Sequence, residues 1–158
     1  MAYNILDVLD KQIDFNKHII LNFNKTLDNE LNEERLRVIL KIIINESNKQ
    51  ITKIENKKND LKQIYSEEVL EVNFLAYDKY SKNFTQLKNT LHEKKYKNTK
   101  EVFEYLVEME QKNYTILIGF KDKMYALDKK CSKEVHFEID KILEDALKRI
   151  STLEKFKL

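Results

Sequence analysis

The sequence predicts an all-α protein, an antiparallel four-helix bundle of two helical hairpins plus a C-terminal fifth helix. Three observations predict it. The 158 residues include one glycine, Gly119, and no proline. Sheets and tight turns draw freely on both, so a chain almost without them consists of long helices with few joints. Apolar residues recur at intervals of three and four over five long stretches, the spacing of one helix face. Hydrophobic residues make up 42% and charged residues 35%, which supplies a core beneath a charged coat. The length suits a single domain over residues 1–158, with the four-helix core at 5–130 and the C-terminal helix at 132–158.

Each helix can be placed by its stripe and its cap. The first runs from about Ile5 to Leu27, with Asn4 as N-cap, Asp7 three residues on, and the stripe Leu6, Leu9, Ile13, Ile20, Phe23, Leu27. The second runs from about Glu33 to Leu61 after Asn32, with the stripe Leu36, Ile39, Ile43, Ile54, Leu61. Its second half thins to Ile51 and Ile54 among lysines and asparagines, so it is expected to project beyond the core or fray. The third runs from about Glu67 to Leu91 with Ser66 as cap and the stripe Leu70, Phe74, Tyr77, Tyr80, Phe84, Leu87, Leu91. The fourth follows Asn98-Thr99, with Glu101 completing an Asn-x-x-Glu box, and reaches about Lys129 through Phe103, Leu106, Glu110, Tyr114, Leu117, Phe120 and Met124. Gly119 lies inside it, and close packing against a neighbour is the expected reason. The fifth follows Ser132 and carries Val135, Ile139, Ile142, Leu143, Ala146, Ile150 and Leu153.

The charge balance excludes several functions. There are 29 basic and 27 acidic residues, a net charge of +2, and the signs alternate along the chain as on solvated helix faces. The most basic stretch, Lys94 to Lys100, is expected to be a polar loop. No face is depleted of acids, so nucleic acid is not an expected partner. No run approaches the ~20 apolar residues of a membrane span, and the first residues lack the features of a signal peptide. Cys131 is the only cysteine, which suits a reducing, cytoplasmic setting. The abundance of Lys, Asn and Ile suggests an AT-rich bacterial genome.

Two glutamates carry the only chemical hint. Glu110 interrupts the stripe Phe103, Leu106, Leu117, and Glu46 follows Ile39, Ile42 and Ile43. A carboxylate on a core face must be paired, protonated or metal-bound, because burying it alone costs several kcal/mol. The two share an offset of 64 (110 − 46) with a faint repeat. Ile-Leu-Asp-Val at 5–8 matches Val-Leu-Glu-Val at 69–72, Asp14 matches Asp78, and Thr26-Leu27 matches Thr90-Leu91. The match suggests two related helical hairpins.

On these glutamates, hairpins and stripes the chain resembles the rubrerythrin-type branch of the ferritin-like family over residues 5 to about 125. The resemblance implies a bundle with a di-iron site at its centre. There, the first and third helices each give a Glu and the second and fourth each give Glu-x-x-His. This sequence has Glu46-Ser-Asn-Lys49 and Glu110-Gln-Lys-Asn113, so Lys and Asn replace both histidines. The third helix faces inward with Tyr77 and Tyr80, and the first with Ile13 and Asn16. The nearest acids, Asp14 and Asp78, lie one position off their stripes, about 100° round the helix. Any surviving metal site would use Asp14, Glu46, Asp78 and Glu110. Without one, Glu46 pairs with Lys49 or Lys53. Glu110 then accepts from Tyr77, Tyr80 or Tyr114, or keeps its proton.

Nothing else in the chain forms a constellation. His18, His92 and His136 fall on different segments without ligand spacing and read as surface residues. Cys131, beside Lys129 and Lys130, has no acid or imidazole partner in sequence. There is no phosphate loop, and Met109 and Met124 read as core fillers. The expected function is therefore a ferritin-like bundle without a working di-iron site or other cofactor, in a non-catalytic binding or scaffolding role. One alternative is a metal-binding ferritin-like protein that handles iron, manganese or peroxide. Another is a helical adaptor or chaperone unrelated to ferritins. The apolar stripe of the fifth helix packs on the bundle or meets a partner, either a second copy or another protein.

Overall fold

Asn4 starts the first helix as its sequence context dictates. In the computed structural model, which describes residues 2–28, 34–93, 99–127 and 130–155, Asn4 Oδ1 accepts the Leu6 N–H and Asp7 Oδ2 accepts the Asn4 N–H, both at 2.8 Å. Two donors that no helical carbonyl can reach are thereby satisfied. Helix α1 then spans Ile5–Asp28, α2 Glu34–Ile64, α3 Phe74–Glu93, α4 Thr99–Leu127 and α5 Lys133–Glu154. Among the described residues the protein is all-α apart from two short antiparallel strands, β1 at Tyr3–Asn4 and β2 at Glu71–Val72, with Tyr3 opposite Val72. Among those residues no helix is long and apolar enough to cross a membrane.

Three element expectations change. The third helix begins at Phe74 rather than Glu67. Residues 66–71 turn tightly, with N–H to carbonyl bonds from Val69 to Ser66 and from Leu70 to Glu67. Leu70 and Val72 are buried while Glu71 is exposed, the two-residue alternation of a strand. Asn73, not Ser66, caps the helix, its Oδ1 accepting the Ala76 N–H at 3.0 Å. Phe74, expected on the inner stripe, is instead 52% exposed. The polar half of α2 does not fray. It continues to Ile64, with Ile54 and Leu61 buried and Lys57 and Lys58 ion-paired to Glu138 of α5 and Asp10 of α1. Gly119 is exposed and a Cβ there would meet nothing within 4 Å, so close packing does not account for it. The expected caps Asn32 and Asn98, and the basic loop from Lys94 to Asn98, lie outside the described residues.

The helices alternate in direction. Ile5 N–H bonds to Leu70 O at 2.8 Å, Asn73 N–H meets Met124 Sδ at 3.1 Å, and Ser132 Oγ bonds to Val69 O at 2.5 Å. One end of the molecule thus gathers the starts of α1, α3 and α5 and the finishes of α2 and α4. Helix α1 packs on α2 and α3, α3 on α4, and α4 on α5, while α5 also touches α1. Ser132 caps α5 by accepting the Val135 N–H. Bundles of the ferritin-like type carry one long crossover. Here residues 65–73 make the corresponding connection and stay at one end. The core gathers Phe15, Tyr80, Phe84, Leu106, Met109 and Phe120 with the buried stripe of α5.

Candidate functional site

Four carboxylates are the sequence's candidates, and only one is in the core. Glu110 is 1% exposed on the inner face of α4. Glu46 is not its counterpart. Its side chain is 59% exposed and pairs with Lys49 at 3.7 Å, while the buried position on α2 belongs to Ser47. Asp14 pairs with Lys88 at 2.8 Å and His18 at 3.4 Å, and Asp78 with Lys82 at 2.9 Å. The structure does not bring the four together. Among the described residues no three His, Cys, Asp or Glu side chains are placed to hold a metal ion. Of the histidines, neither His18 nor His136 is a free surface residue. Both are half-buried, and His136 stacks on Tyr125 with ring centres 4.3 Å apart. The His92 side chain lies outside the described residues.

The partner of Glu110 is a cation from the fifth helix. Arg149 Nε lies 2.6 Å from Glu110 Oε1. Its two terminal nitrogens donate to Asn16 Oδ1 on α1 and Ser47 Oγ on α2. One guanidinium therefore ties α1, α2, α4 and α5 together, using the rigid fork of donors that only arginine offers. A second group adjoins it. Gln12 Nε2 donates to Tyr80 OH at 2.9 Å and to Asn113 Oδ1 at 3.1 Å, and Asn113 Nδ2 donates back to Gln12 Oε1 at 3.0 Å. Asn16 Nδ2 donates to the Gln12 carbonyl at 2.8 Å. Tyr80 brings in α3, so the polar layer crosses all five helices. The partner of Glu110 is Arg149 rather than Tyr77, Tyr80 or Tyr114, the donors that the sequence offers beside a retained proton.

Burial sets the electrostatics of this layer. Loss of solvent pushes the Glu110 carboxyl above its ordinary pKa, and the Arg149 charge opposes that shift. Burial likewise raises the Tyr80 hydroxyl, against the hydrogen bond from Gln12. Neither group is an acid–base catalyst by placement, because each is committed to a partner within the layer.

The layer forms the floor of a cleft of about 270 Å³ between α2 and α5. These two helices do not pack closely along their backbones. They are bridged by side chains, Lys57 to Glu138 at 2.9 Å and Lys53 to Asp145 at 3.3 Å. Leu9, Phe15, Ile43, Ile54, Ile142 and Ala146 line the walls, with Glu110, Asn113 and Arg149 below.

Sequence reading missed Arg149, Gln12, Ser47 and the buried acid Glu138. The signal for Arg149 was its place three residues after Ala146, at the edge of the apolar stripe. For Gln12 and Asn16 it was the spacing Leu9, Gln12, Asn16, Ile19, which runs polar residues through the inner face of α1. Comparison with family models, with curated proteins and with solved structures returned no match.

Proposed function

We propose that this chain is a non-catalytic helical-bundle protein, four helices closed by a fifth, with a binding or scaffolding role. One observation carries the reading: Glu110, buried on the inner face of α4, is engaged by the guanidinium of Arg149 at 2.6 Å. A cation fixed there repels a metal ion, and it commits Glu110, Asn16 and Ser47 of the layer to one another's support. The lone cysteine supports a cytoplasmic setting.

Metal content tests the reading. Protein purified without chelator should hold well under one iron or manganese per chain by elemental analysis. Two tightly bound metals per chain, both released by Glu110→Gln, would show a working metal centre and overturn it.

A further inference from the structure

The cleft between α2 and α5 joins apolar walls to a positive mouth. Leu9, Phe15, Ile54, Ile142 and Ala146 line the walls, and apolar surface left in water favours any guest that covers it. The lining also holds five cations, Lys53, Lys57, Lys141, Lys148 and Arg149, against three acids, Glu46, Glu110 and Asp145. Glu110 is closed to a guest, being 1% exposed and engaged by Arg149. Whatever recognises charge here must therefore meet the mouth and not the floor.

The pairing of these ions fixes the charge of the guest. Lys53 bonds to Asp145, Lys57 to Glu138 and Lys148 to Glu144, while Lys49 holds Glu46. With those outside partners counted, six cations meet five acids. Lys141 is the cation left over. Among the described residues no acid pairs with it, and its ammonium lies over the exposed Phe137 ring, 5.6 Å from the centre. Lys141, Asp145 and Lys148 recur at four and three residues along α5, one face of the helix. Lys53 reaches both Asp145 oxygens from α2 at 3.3 Å. The Lys148–Glu144 pair is exposed on both sides, 72% and 62%, and such pairs are weakly held. A cation would add to the excess at this mouth and a neutral molecule would leave it unanswered, whereas one negative charge matches it. A cavity of about 150 Å³ holds benzene, so 270 Å³ admits an apolar body of roughly eight to ten heavy atoms.

Resting on the non-catalytic binding role above, we propose that the cleft between α2 and α5 binds a small monocarboxylate with a short alkyl body. The alkyl part lies against Leu9, Phe15, Ile54 and Ile142, and the carboxylate accepts from Lys141 at the mouth, with Lys53 beside it. No bond is made or broken.

Isothermal titration calorimetry on the full chain tests this with four probes: octanoate, octan-1-ol, which lacks the charge, octylammonium, which inverts it, and butyrate, which keeps the head on half the body. Octanoate should bind saturably at one site. Octan-1-ol should bind about five- to tenfold more weakly, the loss of one charge-assisted contact, and octylammonium more weakly still. Butyrate, four methylenes shorter, should lose at least about a hundredfold. Lys141 is exposed, so Lys141→Glu leaves the fold intact. It should weaken octanoate about tenfold and leave octan-1-ol unchanged, and Lys82→Glu, an exposed change on α3, should alter neither. Three results would each overturn the proposal: no saturable octanoate binding at millimolar concentration, octan-1-ol or octylammonium binding as tightly as octanoate, or octanoate binding that Lys141→Glu lowers no more than Lys82→Glu does. If the protein is metal-free, such a failure leaves a scaffolding role standing. Two bound metals per chain would overturn that role and the proposal with it.

Discussion

Removing the Glu110 carboxylate alone would strand a guanidinium whose side chain is 17% exposed. Breaking one partner of a buried ion pair is strongly destabilising, whereas replacing both with apolar side chains often is not. Glu110→Leu should therefore cost about 3–5 kcal/mol in urea unfolding, and Glu110→Leu with Arg149→Met should recover most of it. Additive losses in the double variant would show that the two residues do not act as a pair. The burial of Glu110 was legible because its stripe is apolar on both sides. Its partner was not, because a cation in a helix full of Lys and Glu carries no mark of facing inward. Glu46 misled for a geometric reason. It follows Ile42 by four residues, and Ile42 is itself 39% exposed, whereas Ser47 follows Ile43, which is 4% exposed. A shift of one residue is about 100° on a helix.

Helix spans followed the sequence where apolar periodicity and a cap agreed. Asn4 caps α1 as expected, and the boundaries of α1, α4 and α5 fall within a few residues of those read from the stripes. The error at the third helix had a cause in the same signals. Leu70 fits a helical stripe and a two-residue alternation equally well, and only its pairing near Tyr3 decides between them. Such a tertiary contact leaves no local trace. Gly119 gives a test at this scale. It lies in mid-helix with open space where a Cβ would stand. Gly119→Ala should raise stability by about 1 kcal/mol in chemical denaturation. A loss of stability would reveal crowding or strain at that point of α4.

Across the whole molecule, α5 closes one side of the hydrophobic core. It buries Val135, Ile139, Leu143, Ala146, Ile150 and Leu153 and supplies Arg149 to the central layer. Truncation after Lys130 should expose the flank of α4 and remove the counter-ion that Arg149 gives Glu110. Light scattering should then show aggregation. A monodisperse truncated chain with an unchanged melting temperature would mark α5 as an arm for a partner. All-α character and the number of helices were legible in composition and periodicity. Which helices adjoin was not, because that depends on single polar contacts between residues far apart, such as Arg149 with Ser47 or Gln12 with Tyr80. The position of Arg149 also bears on the order of assembly during synthesis. Chains are made from the N-terminus, so α1, α2, α3 and α4 all exist before Arg149 does. A partly made chain that closes around Glu110 must bury a lone acid, and it pays less by keeping that acid protonated or in water. Final packing of the interior therefore waits for the residue numbered 149, which makes the last helix the step that commits the nascent chain to its native form.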